Sequence, residues 1–152
     1  MSRRFRLAIV LRLREIEEDA ARGRLGVAVR DHVAAVAERD GASQRLDEEH
    51  AWLRGLQQRG ADAADLRIAA ESLGTAEGRL SRAEETLGLT AQALLEARAL
   101  LAQATKRREV VERLRDRHLA AEREREERAE IARLSELANV QYAFRDRAEW
   151  MR

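Results

Sequence analysis

From residue 66 onward leucine returns every seven positions, at Leu66, Leu73, Leu80, Leu87, Leu94 and Leu101. Three residues after each stand Ala69, Ala76, Ala83, Thr90, Ala97 and Ala104. A sustained heptad with one large and one small seam position predicts a long coiled-coil helix. Alanine at the second position lets two helix axes approach toward the short end of the roughly 8–10 Å range. Each leucine buried in such a seam contributes about 1.5–3 kcal/mol.

The first part of the chain carries a weaker pattern in alternating steps of four and three: Ile9, Leu13, Ile16, Ala20, Gly23, Val27 and Ala34. It predicts the matching stripe of a first helix, although Gly23, Gly26 and Gly41 each cost about 1 kcal/mol relative to alanine. Leu46, Leu53 and Leu56 resume the apolar positions before the pattern slips near Gly60. The run Arg59-Gly60-Ala61-Asp62 explains the slip as a turn. Gly60 suits the left-handed position that ends a helix, Asp62 the cap that begins the next, and Asp65 its first turn. Gly41-Ala42-Ser43 and Gly74-Thr75 are poorer turns, because the first sits in a resumable stripe and the second would interrupt the leucine repeat.

Folding at Gly60 predicts an all-α chain: two long helices in an antiparallel coiled-coil hairpin, as a single domain over 1–152. Helix one spans about 3–58, the turn about 59–62 and helix two about 63–148. Facing positions then add to about 121, so Val27 meets the level of Leu94 and Leu7 that of Leu114. At about 1.5 Å per residue the shorter arm is about 85 Å long, and helix two outruns it near Arg117, leaving a C-terminal overhang of about 35 residues. The overhang begins with Glu122 to Glu130, almost wholly Glu and Arg. A pair such as Glu124 with Arg128 supports a solvated single helix by about 0.2–0.5 kcal/mol. Beyond it Ile131, Leu134, Leu137, Val140, Phe144, Ala148 and Met151 lie near one stripe, with Tyr142 and Trp150 close by.

Composition narrows the function. With 3% aromatic residues, no proline and no cysteine, the chain offers neither the bulk of a compact core nor a disulfide or thiolate site. The N-terminal apolar run Leu7 to Leu11 is too short for a signal core or a membrane span. Basic and acidic residues number 29 and 28, interleaved, which gives no field to hold nucleic acid, and no aromatic platform is present for stacking bases. Phosphate-cradling glycine loops and the nucleophile elbow are absent from the sequence. Two paired helices offer little concave interior, so no enzyme activity, no cofactor and no small-molecule substrate are expected. His32, His50 and His118 lie far apart and read as solvated rather than as metal ligands. Glu84 and Glu85 read as a solvated face. Arg3, Arg4, Phe5 and Arg6 read as the start of the seam with a basic flank, or as a short contact with an anionic membrane.

Phe5-Arg6-Leu7, followed by Leu11-Arg12-Leu13-Arg14-Glu15-Ile16-Glu17-Glu18, resembles the start of the flagellar export protein FliJ family. The chain length, the glycine-centred turn after Leu53 and Leu56, and the Glu/Arg-rich arm from Val110 to Ala129 are similar too. The resemblance implies a cytoplasmic, stalk-like coiled coil of the flagellar type III protein export apparatus, serving motility and chemotaxis and peripherally associated with the inner face of the cell membrane at the flagellar base. It implies three partners: the hexameric export ATPase, the cytoplasmic domain of the membrane export gate, and export chaperones that the protein escorts. It brings no catalytic residues. A stalk seated in a ring presents paired helix ends. The contact candidates are therefore Phe5, Leu7, Ile9, Leu13, Val110, Val111, Leu114, Ile131, Leu134, Leu137, Val140, Tyr142 and Phe144. The gate-binding positions are not transferred, because this chain is too Ala-rich around Ala69 to Ala83. The competing reading is a homodimeric or membrane-associated scaffold paired through Leu66 to Leu101, and a virulence-type secretion stalk would read the same.

Overall fold

Glycine and aspartate chemistry sets the one reversal of the chain. Gly60 has φ of 65°, a conformation that costs side-chain-bearing residues about 1–2 kcal/mol. Its N–H donates to the Gln57 carbonyl at 3.3 Å and that of Ala61 to the Leu56 carbonyl at 3.1 Å, the paired bonds of a Schellman ending. Asp62 then accepts the Asp65 N–H on Oδ1 at 2.9 Å, satisfying one of the free donors that open the next helix.

The computed structural model describes the backbone of residues 3–150 and the side chains of residues 6–147. It contains two helices, α1 (Arg3–Gln58) and α2 (Ala63–Trp150), and no strand among the described residues. The fold is an antiparallel helical hairpin with a longer second helix. Two compact units divide it: Ile16–Thr105, and Met1–Glu15 with Lys106–Arg152.

In the unit Ile16–Thr105 the α2 heptad forms the seam. Its leucines, from Leu66 to Leu101, are half-buried, and Ala69, Ala76, Ala83, Ala97 and Ala104 are buried. On α1 the buried positions also recur by sevens, at Ala21, Ala28, Ala35, Ala42 and, two heptads on, Leu56. The second α1 seam row is Glu18, Leu25, His32, Arg39, Leu46 and Leu53, buried or half-buried. Two cross-helix hydrogen bonds fix the register: His32 Nδ1 with Thr90 Oγ1 at 3.2 Å, and Thr105 Oγ1 donating to Glu18 Oε1 at 3.0 Å. Facing positions therefore add to 122 and 123 rather than 121. In this register the α2 leucines at 80, 87, 94 and 101 stand at the levels of the α1 alanines at 42, 35, 28 and 21. Large against small keeps the layer volume nearly constant, which is how closely approaching helices fill their interface.

This seam corrects the stripe expected for α1. Ile16, Ala20, Gly23, Val27 and Ala34 are exposed, outside the two seam rows of α1. The α2 leucines are the reason, because they require small residues opposite, and a seam of Ile and Val on α1 would overfill each layer. Polar side chains also occupy seam positions and bond across it. Thr90 Oγ1 lies 3.0 Å from the Leu87 carbonyl, so it has a partner on its own helix as well as His32 Nδ1 across the seam. Glu18 also accepts from Arg22 at 3.3 Å. Such polar cross-links penalise every shifted pairing, since sliding by a heptad strands a half-buried polar group.

Two adjacent alanines separate the observed seam from the expected one. Ala35 is 5% exposed and Ala34 faces solvent. Ala35→Leu overfills the layer and lowers stability by about 1–3 kcal/mol, whereas Ala34→Leu changes it by less than about 0.5 kcal/mol. Urea denaturation followed by far-UV circular dichroism checks this. Equal effects from the two substitutions would contradict the seam.

Candidate functional site

The unit Met1–Glu15 with Lys106–Arg152 reverses the usual order of inside and outside. Leu11 is its buried apolar side chain, 7% exposed, and Leu7 and Val111 are half-buried. The other half-buried positions that continue the heptads are charged or polar: Arg14 on α1, and Arg108, Arg115, His118 and Glu122 on α2. Ion pairs within one helix hold several of these in place. Arg108 meets Glu112 at 2.6 Å, Arg115 meets Asp116 at 2.9 Å, and His118 Nε2 lies 3.1 Å from Glu122. Meanwhile Ile9, Leu13, Val110 and Leu114 are 50%, 52%, 54% and 48% exposed. Val10 joins them.

Helical periodicity explains the reversal. Val10 and Leu13 stand two heptads before Arg24 and Val27; Val110 and Leu114 stand two heptads after Glu96 and Leu100. In their own unit all four flank the polar seam on one side, as residues beside a seam and not in it. The result is an apolar patch made by both helices next to a poorly apolar interface. Patches of this kind on a surface mark contact with another macromolecule.

Beyond Glu122 every described side chain, from Arg123 to Arg147, is exposed. Half-burial thus runs five residues past the expected end of pairing at Arg117, at His118, Leu119, Ala121 and Glu122. The Arg128 and Glu124 side chains form an i,i+4 ion pair that supports an unpaired helix. Ile131, Leu134, Leu137, Val140, Tyr142 and Phe144 are all more than half exposed. Leu134, Leu137, Val140 and Phe144 fall within about one third of the helix circumference at 100° per residue, a continuous stripe. Phe5, Ala148, Trp150 and Met151 lie outside the residues whose side chains are described.

Of the contact candidates, then, Leu13, Val110 and Leu114 are exposed on one side of the seam, Ile9 is exposed farther round α1, and the C-terminal six form a second exposed set. Leu7 and Val111 turn into the seam. Val10 escaped the sequence reading because it falls one residue off the four-three pattern.

The histidines are less solvated than expected. His32, His50 and His118 are each half-buried, with His32 bonded across the seam. Among the described residues no group of three metal-capable side chains forms, and no helix is long and apolar enough to cross a membrane.

A family model described as flagellar FliJ protein matches residues 2–147. The chain belongs to the flagellar FliJ family. It is thereby a coiled-coil protein related to flagellar export, and the match spans both helices and the turn between them. No curated protein matches the chain, and no solved structure matches it.

The polar seam has a measurable consequence. With Leu11 and Val111 as its main apolar layer, the pairing of residues 6–15 with α2 is the weaker part of the hairpin. Hydrogen exchange followed by mass spectrometry is expected to show peptides from 6–15 exchanging at least tenfold faster than those from 21–42. Equal protection would mean that the charged seam holds as tightly as the Leu–Ala seam.

Proposed function

We propose that this chain is a stalk-like component of the flagellar type III export apparatus whose open helix ends engage the hexameric export ATPase. The observation that carries this reading is the inverted pattern of the unit Met1–Glu15 with Lys106–Arg152: polar residues in the seam, and Val10, Leu13, Val110 and Leu114 outside it. A protein that needed only to pair its own helices would place these residues inward. Exposed beside the seam, each offers about 1 kcal/mol to a partner that covers it. The stripe from Leu134 to Phe144 offers a second contact, in the way that amphipathic helices dock into grooves.

The same reading has the protein contact the cytoplasmic domain of the export gate and escort export chaperones, at the inner face of the membrane at the flagellar base. Family membership supports these partners in general terms, as components of the export apparatus. The reading assigns the protein no catalysis, and partners other than nucleic acid. A homodimer paired through Leu66 to Leu101 is disfavoured, because those leucines are already half-buried against α1 of the same chain.

Co-elution with the purified export ATPase on size exclusion with light scattering tests the proposal. The chain alone should run as an elongated species of 17.3 kDa and should shift into the ATPase peak when mixed. Leu13→Asp with Leu114→Asp should abolish the shift, as should Leu137→Asp with Phe144→Asp, with helicity unchanged by circular dichroism. Retention by either pair would remove that surface from the contact, and retention by both would overturn the reading.

A further inference from the structure

The unit Ile16–Thr105 carries an apolar groove that its own seam does not consume. An open groove of about 480 Å³ runs along one side of the helix pair. Its buried floor is Ala28 and Ala97, and Val27, Leu89, Ala93 and Leu100 rise around it. Leu89 is 73% exposed and falls two positions off the leucine heptad, so hairpin pairing gives no reason for a leucine there. Nearer the turn the groove side becomes charged. Arg79 and Arg82 precede Thr86 by two turns and one, with Glu38 across from them. Neither arginine forms an ion pair among the described residues. That end carries two cations against one carboxylate, whereas Asp31 stands near the middle of the groove and the far end carries Glu96 with Arg24.

We infer that this groove docks one amphipathic helix of a partner protein, with an acidic first turn lying over Arg79 and Arg82 and an apolar stripe resting on Val27, Leu89 and Leu100. The span from Thr86 to Leu100 is about 20 Å, three to four helical turns, which sets the length of the apolar stripe. Direction follows from charge. Carboxylates favour the N-terminal turn of their own helix, so a partner whose first turn lies over Arg79 and Arg82 runs parallel to α2, and basic residues in its later turns lie over Asp31 and Glu96. Two helices in contact leave a groove of the width a third helix fills, with anchors at i, i+3 or i+4, and i+7. None of the groove residues belongs to the surface proposed for the ATPase, so the two ideas stand or fall separately.

The test uses the full chain and two labelled synthetic peptides of about 18 residues. One has glutamates in the first turn, leucines at seam spacing and lysines in the last turn; the other has the two charged ends exchanged. Fluorescence anisotropy should show the first binding at least tenfold tighter than the second. Leu89→Glu, at an exposed position that leaves the melting temperature unchanged, should weaken it at least tenfold. Arg79→Glu with Arg82→Glu should reverse the preference. Absence of saturable binding, indifference to the exchange of charge, or full affinity in Leu89→Glu would overturn the inference. So would a concentration-dependent dimer on light scattering that Leu89→Glu abolishes, because the groove would then belong to a second copy. Leu89→Glu should still co-elute with the export ATPase, which separates failure here from failure of the stalk reading.

Discussion

Leucine on α2 against alanine on α1 is the constraint from which most of the structure follows. Because Leu80, Leu87, Leu94 and Leu101 each need a small residue opposite, α1 must offer Ala42, Ala35, Ala28 and Ala21. That requirement fixes which side of α1 faces inward. It also draws the helices close enough for short polar groups to reach across, as Thr105 does to Glu18 and Thr90 to His32. Register is then held twice, by layer volume and by hydrogen bonds, and a slip by one heptad would disturb both.

The same constraint accounts for the exposed apolar residues. Once alanines and polar groups fill the α1 seam, the larger aliphatic residues of that helix, Ile9, Leu13, Ile16, Val27 and Val33, have no intramolecular place to go. On a chain held together only by its own seam this would be an aggregation liability. Coverage by another export component, as proposed above for Leu13 and its neighbours, would remove that liability. Tight pairing over Ile16–Thr105 uses small residues. Large exposed residues are thereby left for contacts elsewhere.

How much of this was legible in the sequence depended on which side chains carried the signal. The α2 heptad could be read directly, because few arrangements besides a coiled-coil seam call for a leucine at every seventh residue. Gly60 and Asp62 could be read as well, since each has a conformational or hydrogen-bonding preference that few neighbours share. The α1 seam could be read only near the turn, where Leu46, Leu53 and Leu56 lie in it. Farther from the turn most of its inward positions hold alanine, glutamate, histidine and arginine, which register weakly on any hydrophobicity count, while Ile9, Leu13, Ile16 and Val27 lie outside it. Periodicity there found the most apolar positions, and those are not the seam. Among the contact candidates, Ile9, Leu13, Val110 and Leu114 were reached by reasoning about helix ends rather than about packing. Leu7 and Val111 were swept in with them because neighbours in sequence share an end but not a face. Val27, Leu89 and Leu100 gave no sequence signal as a group, since only the pairing of two distant segments brings them together.

The C-terminal part of α2 shows how a helix persists where no seam supports it. Helix formation in isolation is marginal for short segments and improves with length and with i,i+4 pairs. Here both conditions hold. Glu and Arg make up every position from Glu122 to Glu130 except Ala129, Arg128 pairs with Glu124, and α2 runs unbroken from the paired region into this stretch. Charged pairs therefore carry the backbone order, and the aliphatic residues from Ile131 to Phe144 are not needed to hold the helix together. Residues that a fold does not require are free to be optimised for contact. A stripe held in helical form beforehand also loses less conformational entropy on docking than a disordered tail would, about 1–2 kcal/mol for each backbone residue already ordered. The charged stretch before the stripe thus orders it in advance, so that a partner binding there would not have to fold it in the same step.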